Sequence, residues 1–323
     1  MLSDYSISVL RMFGAIRYRL SVNEKQSMQP RPTGFLPGLL AVMAFGLTLP
    51  VTRFVSADLD PVLVGLGRAA VAGVVASLIL WRYKAPLPNV ASRRSLSLVA
   101  AGVVLGFPLF SSWAMTLVPA SHGGVVLAIL PLLTALLGRI IGGEHPSPTF
   151  WFTSLLGGVL VLLYIFPEQG WRFHQGDWLL LLAAISAAIG YAFGGKLARQ
   201  IPGWQVICWA LVFCLPITLP VFIWRLTELN SSINIASGLG FLYLSLISQL
   251  FAFFLWYRAL ALGGISRISQ IQLLQLFVTL SVAAIWLKEP LSSETLLFAV
   301  LILATVLISQ KLPVPYPPTE LRK

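Results

Sequence analysis

Ten stretches of about 20 mostly apolar residues recur along this 323-residue chain, with short links between them. An α-helix needs about 20 such residues to cross the hydrocarbon core of a bilayer, so each stretch has the length of one crossing. Only 10% of the residues are charged, whereas a soluble domain has roughly 25%. The sequence therefore predicts an all-α integral membrane protein with ten transmembrane helices. Their predicted ranges are 34–54, 61–81, 95–117, 121–141, 149–166, 177–197, 205–225, 238–260, 267–287 and 292–310.

Lysine and arginine fall mostly on one side of the membrane if the N-terminus is cytoplasmic. Seventeen of the 22 then face the cytoplasm, four face outward, and Arg68 lies inside a span. Because basic residues accumulate in cytoplasmic loops, we expect both termini in the cytoplasm and the protein in the plasma (inner) membrane. The net charge of +11 is thus explained by topology, and nucleic acid is excluded as a partner. The outward-facing residues are Arg53, Arg172, Arg225 and Lys288.

Several landmarks recur at an offset of 141 to 145 residues. They pair as Glu144 with Glu289, Ser121 with Ser266, Trp113 with Trp256, and Pro61 with Pro202. This offset predicts a duplicated unit of five helices, and an odd number of spans inserts the second copy upside down. Such inverted repeats are typical of secondary transporters, whose substrate site lies near the membrane midplane. The predicted parts are a cytoplasmic N-terminal segment (1–32), a first repeat (33–166), a second repeat (177–310) and a cytoplasmic C-terminal tail (311–323).

Short motifs in both halves resemble the drug/metabolite transporter superfamily, of the EamA type. They include "DLDPVLVGLGRAAVAG", with Arg68 seven residues after Pro61, and "AILPLLTALLGRIIGGEHPS", with Glu144 thirteen residues after Pro131. The second half keeps Glu289 but has Leu276 at the position equivalent to Pro131. The resemblance implies a ten-helix transporter that moves amino acids or other small metabolites outward, and says nothing more about the substrate.

The ninth predicted helix holds polar side chains where hydrocarbon is expected. Ser269, Gln272 and Gln275 fall on one face at 100° per residue, whereas Gln270 points nearly opposite, toward the headgroups. This face either lines a cavity or bonds a neighbouring helix, although interhelical hydrogen bonds average only about 0.6 kcal/mol. We interpret it as part of a substrate site.

Other polar and aromatic residues in the spans extend this candidate site. Arg68 lies seven residues inside its span, and a charge at that depth is by default a functional candidate. Its alternatives are snorkelling toward the interface and pairing with backbone carbonyls. Gln249 and Trp256 share a face of the eighth helix, and Trp113 is the repeat equivalent of Trp256. For the two tryptophans, anchoring at the membrane interface is the competing interpretation.

Two glutamates, Glu144 and Glu289, close equivalent spans on opposite sides of the membrane. We predict that each is a structural cap that bonds the backbone amides opening the next helix, with gating as the alternative. The remaining carboxylates also lie outside the span centres. This pattern favours facilitated diffusion or exchange over ion coupling through a membrane carboxylate.

These observations predict a secondary transporter, an exporter or exchanger of small metabolites that are amino-acid-like or otherwise carry a carboxylate. It would work by alternating access through a central cavity between the repeats, with the bilayer and a small-molecule substrate as partners and the chain a monomer or weak homodimer. A membrane scaffold or receptor, or an intramembrane enzyme, is the alternative. Because the sequence has no P-loop, no H-E-x-x-H and no metal-ligand spacing, we expect no catalytic residue, metal or cofactor.

Overall fold

The computed structural model describes residues 34–168, 174–229 and 234–310. The predicted N-terminal segment 1–32 and C-terminal tail 311–323 lie outside the described residues.

Within these ranges the chain is helical throughout and contains no strand. Eight helices are long and apolar enough to cross a membrane, and two others have shorter described apolar stretches at Pro148–Val161 and Ser293–Thr305. The prediction of an all-helical membrane chain is confirmed, while the count of ten crossings stays a prediction. The helices are α1 Phe35–Val55, α2 Pro61–Arg82, α3 Val90–Leu117, α4 Ala120–Gly142, α5 Pro148–Glu168, α6 Gln175–Leu197, α7 Gly203–Thr227, α8 Ile235–Gly263, α9 Ile265–Ile285 and α10 Ser293–Gln310.

Capping residues in the short links begin several of these helices. The Asp60 carboxylate accepts hydrogen bonds from the Val62 and Leu63 amides at 2.9 and 3.1 Å, and Pro61 follows as the first residue of α2. The Asn89 side chain caps α3 in the same way, with the Ser92 amide at 2.7 Å. Side-chain caps satisfy amides that the first helical turn leaves without a partner, so these polar residues fix where the spans start.

Four helices change their winding near the middle, at equivalent places in the two repeats. α3 contains a π-helical segment at Ala100–Gly106, and α8 contains one at Tyr243–Phe251. α4 and α9 instead pass through short 3₁₀ turns at Leu127–Ile129 and Gln270–Leu273. Such irregular turns are frequent at functional sites, so these four helices bring unusual backbone to the middle of the molecule.

α1 is interrupted at Leu47, three residues before Pro50. Because proline has no N–H, Pro50 leaves the Gly46 carbonyl without its helical donor. The Thr279 hydroxyl of α9 donates to that carbonyl at 2.7 Å. A side chain from the other half of the chain therefore supplies the hydrogen-bond donor that Pro50 lacks.

α6 packs in the centre against α3, α4 and α8. Two of its glycines make this possible: a Cβ at Gly190 would collide with Val103, and one at Gly194 would collide with the Tyr257 ring. Small residues at such positions let helices approach closely in membranes. Tyr191, which follows Gly190 in α6, is consequently buried in the interior.

Candidate functional site

Arg68 is buried in the interior of α2, with 1% of its surface exposed. Its guanidinium carbon lies 5.9 Å from the centre of the Phe107 ring. Its Nε and Nη1 atoms have no hydrogen-bond partner among the described residues. Of the two alternatives raised for this residue, snorkelling does not fit its burial, and backbone carbonyls do not bond these two atoms.

Tyr191 connects Arg68 to the glutamine-bearing helix α9. Its side chain lies within electrostatic range of Arg68, and its hydroxyl faces the Gln272 side chain without reaching hydrogen-bond geometry. Aromatic rings surround it, with the centroid of Trp256 at 5.3 Å and that of Phe45 at 6.4 Å. We call Arg68, Tyr191, Trp256 and Gln272 the central cluster, and it draws on helices α2, α6, α8 and α9.

The central cluster holds five polar atoms that are buried and lack a hydrogen-bond partner in the described structure. They are Nε and Nη1 of Arg68, Nε1 of Trp256, and both Nε2 and Oε1 of Gln272. A buried polar group without a partner costs about 1–3 kcal/mol, and more if it is charged. Four of the five are donors, so the cluster is suited to a ligand rich in acceptor oxygens.

Gln275 lies next to the cluster, in a crevice between α4 and α9. The crevice is also lined by Gln272, Gly124 and Thr279, and its volume is about 10 Å³. That volume is about enough for one water molecule. A metabolite therefore cannot enter until the helices move.

Gln249 and Ser269, both predicted to bind substrate, make hydrogen bonds within the protein. The Gln249 side chain donates to the Val103 carbonyl at 2.9 Å. The Ser269 hydroxyl is 2.8 Å from the Ser266 carbonyl and 3.4 Å from that of Pro131. The Gln249 bond joins α8 to α3, whereas the shorter Ser269 bond stays within α9 and only its 3.4 Å contact reaches α4.

Trp113 is not part of the central cluster, because 48% of its surface is exposed on the outside of α3. Its repeat equivalent, Trp256, is completely buried. The expectation that Gln270 reaches the headgroups is also wrong, since only 1% of it is exposed. It lies in the 3₁₀ turn of α9, where three residues rather than 3.6 complete a turn, so 100° per residue does not give its direction. Gln272 and Gln275 do share one face, as predicted, and line the crevice together.

Two members of this region, Tyr191 and Phe45, were not among the predicted site residues. Tyr191 is a polar aromatic residue inside a predicted span, six residues before its end, and that position was the available signal. Phe45 has no such signal, since an apolar residue in a membrane helix does not reveal which neighbour it meets.

Glu144 holds together residues from both halves of the molecule. Its carboxylate accepts hydrogen bonds from the Ile265 and Ser266 amides, both at 2.7 Å, and from the Arg199 guanidinium at 2.8 Å. Ile265 is the first residue of α9. We call this arrangement the Glu144 clasp.

Glu289 makes the equivalent arrangement at the start of α4. Its carboxylate accepts from the Ala120 and Ser121 amides at 2.8 and 2.9 Å, and it pairs with Arg53 at 3.2 Å. We call this the Glu289 clasp. Each glutamate has the geometry of a helix cap, but it caps a helix of the other repeat rather than the next helix along the chain. The sequence alone gave no sign of this exchange.

The two clasps lie at opposite ends of the molecule. α4 begins at Ala120, in the Glu289 clasp, and ends at Gly142, two residues before Glu144. A helix of 23 residues is about 35 Å long. The central cluster therefore lies between two clasps, each of which joins one repeat to the other.

A buried histidine and aspartate lie beside the Glu289 clasp. His122 Nε2 is 2.7 Å from the Asp177 carboxylate, and that carboxylate also accepts the His174 amide at 2.9 Å. Asp177 is fully buried at the start of α6. The pair ties α4 to α6 at this end.

Comparison with known proteins gives both a family and a fold. The profile of the EamA-like transporter family matches residues 32–166 and again residues 174–310. The uncharacterized transporter YdeK of Bacillus subtilis is 39% identical over 262 residues, covering 81% of this chain and 91% of its own. A probable amino-acid metabolite efflux pump of Salmonella typhimurium is 26% identical, over 86% of this chain and 95% of its own.

Two further matches agree with these. A probable terminal-alkyne amino-acid exporter of Streptantibioticus cattleyicolor is 26% identical, over 77% of this chain and 87% of its own. A protein known from a crystal structure has the same fold, with a TM-score of 0.66 at 17% identity, over 87% of this chain and 99% of its own. The named relatives are transporters and not enzymes.

Proposed function

Because the chain belongs to the EamA-like transporter family, we propose that it exports or exchanges small metabolites that carry a carboxylate, amino acids foremost. The multi-pass membrane character and the transporter role follow from the family. The choice of substrate rests on the central cluster, and the names of two relatives, an amino-acid metabolite efflux pump and an amino-acid exporter, support it.

The observation that carries this proposal is the buried guanidinium of Arg68 with two donor atoms unpartnered. Arginine binds a carboxylate with two parallel hydrogen bonds, and such a ligand supplies the missing acceptors together with the opposite charge. Gln272 offers both a donor and an acceptor for the remaining polar groups of an amino acid. Trp256 provides an apolar wall for its side chain.

Access to the central cluster alternates between the two clasps in this proposal. Both are closed in the structure, and the crevice beside Gln272 holds only about 10 Å³. Release of one clasp separates the repeats at one end while the other remains closed. Because the two clasps are equivalent and lie on opposite sides of the membrane, each side has its own gate.

We also propose ten crossings, arranged as two inverted five-helix repeats with both termini in the cytoplasm of a plasma-membrane protein. Eight helices are long and apolar enough to cross a membrane, and we propose α5 and α10 as the ninth and tenth crossings. The basic residues support the orientation, which places the Glu144 clasp on the cytoplasmic side. One chain supplies the whole route in this proposal, whether the protein is a monomer or a weak homodimer.

The test is transport of amino acids into proteoliposomes preloaded with the same solute, with wild-type protein compared with Arg68→Gln. Loss of a charged hydrogen bond worth about 1.5–3 kcal/mol predicts a drop of roughly 10- to 100-fold for carboxylate-bearing solutes. Amines that lack the carboxylate should be unaffected. Arg93→Gln, an exposed arginine in the first turn of α3, is the matched control.

Two results would contradict the proposal. Equal transport by Arg68→Gln and wild type would remove Arg68 from the substrate site. Flux no greater than that of empty liposomes for every amino acid would overturn the substrate class.

A further inference from the structure

A groove opens between α2 and α7 at the same end of the molecule as the Glu144 clasp. Its volume is about 610 Å³, and Leu80, Leu87 and Val212 contribute apolar walls. α7 begins at Gly203, four residues after Arg199 of that clasp. The groove therefore lies where a membrane helix meets the headgroup region, on the side that the basic residues assign to the cytoplasm.

Two cations, Arg82 and Lys84, border the groove. Both are exposed, and neither pairs with a carboxylate in the part of the chain that the structure describes. Lys84 has a φ of +47°, a left-handed conformation uncommon for residues other than glycine. The sharp turn after α2 thus holds a lysine at the groove where a glycine would fit more easily.

Trp209 of α7 supplies the second and independent observation. Its ring lines the groove, only 9% of its surface is exposed, and its buried Nε1 has no hydrogen-bond partner among the described residues. An indole N–H is a donor only. The groove therefore combines an apolar channel, two unpaired cations and one unused donor.

We propose that this groove binds an anionic glycerophospholipid of the inner leaflet. The acyl chains lie along Leu80, Leu87 and Val212, and the phosphate lies between Arg82 and Lys84. The Trp209 N–H donates to an ester or phosphate oxygen of the same lipid. Basic pockets between transmembrane helices bind anionic headgroups in this way, and here the lipid joins α2 of the first repeat to α7 of the second.

The experiment is native mass spectrometry of the detergent-purified full chain, incubated with phosphatidylglycerol or with phosphatidylethanolamine. Wild type should retain phosphatidylglycerol at least 10-fold better. The double variant Arg82→Gln/Lys84→Gln should lose that preference, and Trp209→Phe, which removes the donor but keeps the ring, should weaken retention several-fold.

The matched control is Arg93→Gln/Arg94→Gln, a second exposed basic pair at the same end but outside the groove. It should retain phosphatidylglycerol as wild type does. Equal loss in the two double variants, equal retention of both lipids by wild type, or displacement of the lipid by inorganic phosphate would each overturn the proposal. Because the readout is lipid retention, it is independent of whether amino acids are the substrate.

Discussion

The Val103 carbonyl loses its helical partner for two reasons. In the π-helical segment of α3, the Phe107 amide bonds to Gly102 rather than to Val103. The next residue, Pro108, has no amide hydrogen to offer. Gln249 of α8 provides the missing donor at 2.9 Å, so this glutamine is needed by the fold. The side-chain amide of Gln272, by contrast, has no hydrogen-bond partner among the described residues.

The two glutamines should consequently respond in opposite ways to replacement by leucine. Gln249→Leu leaves a buried carbonyl unsatisfied and should lower the free energy of unfolding by about 0.6–2 kcal/mol. Gln272→Leu should leave stability near that of wild type and reduce amino-acid transport at least 10-fold. Unfolding in detergent titrated with SDS measures the first effect, and liposome flux measures the second. The assignment is wrong if Gln249→Leu is stable but inactive.

At the scale of helices, α4 and α9 each begin with amides that a glutamate of the other repeat accepts. The first turn of a helix has unpaired N–H groups and carries the positive end of the helix dipole. A carboxylate there satisfies the amides and opposes the dipole, and a neighbouring arginine completes each clasp. Removing the charge weakens one closure without touching the other.

Glu144→Gln and Glu289→Gln should therefore shift access in opposite directions. A cysteine at position 275, in a chain without Cys208 and Cys214, reports access to the crevice beside Gln272. Glu289→Gln should raise its labelling by an impermeant thiol reagent added outside cells several-fold, whereas Glu144→Gln should lower it or leave it unchanged. An identical response of the two variants would show that the clasps are static caps rather than gates.

At the scale of the whole molecule, the sequence allowed the helix positions to be predicted well and the interior much less well. Apolar length alone gave the bounds of α2 and α7 to within a few residues, because the hydrocarbon core sets that length. The surroundings of Trp113 and Trp256 were not predictable, since their equivalence in the repeat does not decide which helix covers each. In α9 the burial of Gln270 was missed because regular winding was assumed across the 3₁₀ turn that contains it, whereas Gln272 and Gln275 do share one face.

The inverted arrangement is tested by single cysteines at Ala57 and His145, again without Cys208 and Cys214. Both positions are exposed, and they lie at the ends of the Glu289 and Glu144 clasps respectively. An impermeant reagent added outside cells should label Ala57→Cys, and should label His145→Cys only after the membrane is opened. Labelling of both positions in intact cells would exclude the inverted topology.

Each clasp takes its carboxylate from one repeat and its amides from the other. Neither repeat thus contains a complete closure, and both closures are lost together if the repeats separate. Cutting the peptide link between them would leave every bond of the clasps in place. In this respect the two repeats resemble the subunits of an obligate heterodimer. The hydrogen bonds and ion pairs between them, rather than the peptide link, hold both clasps together.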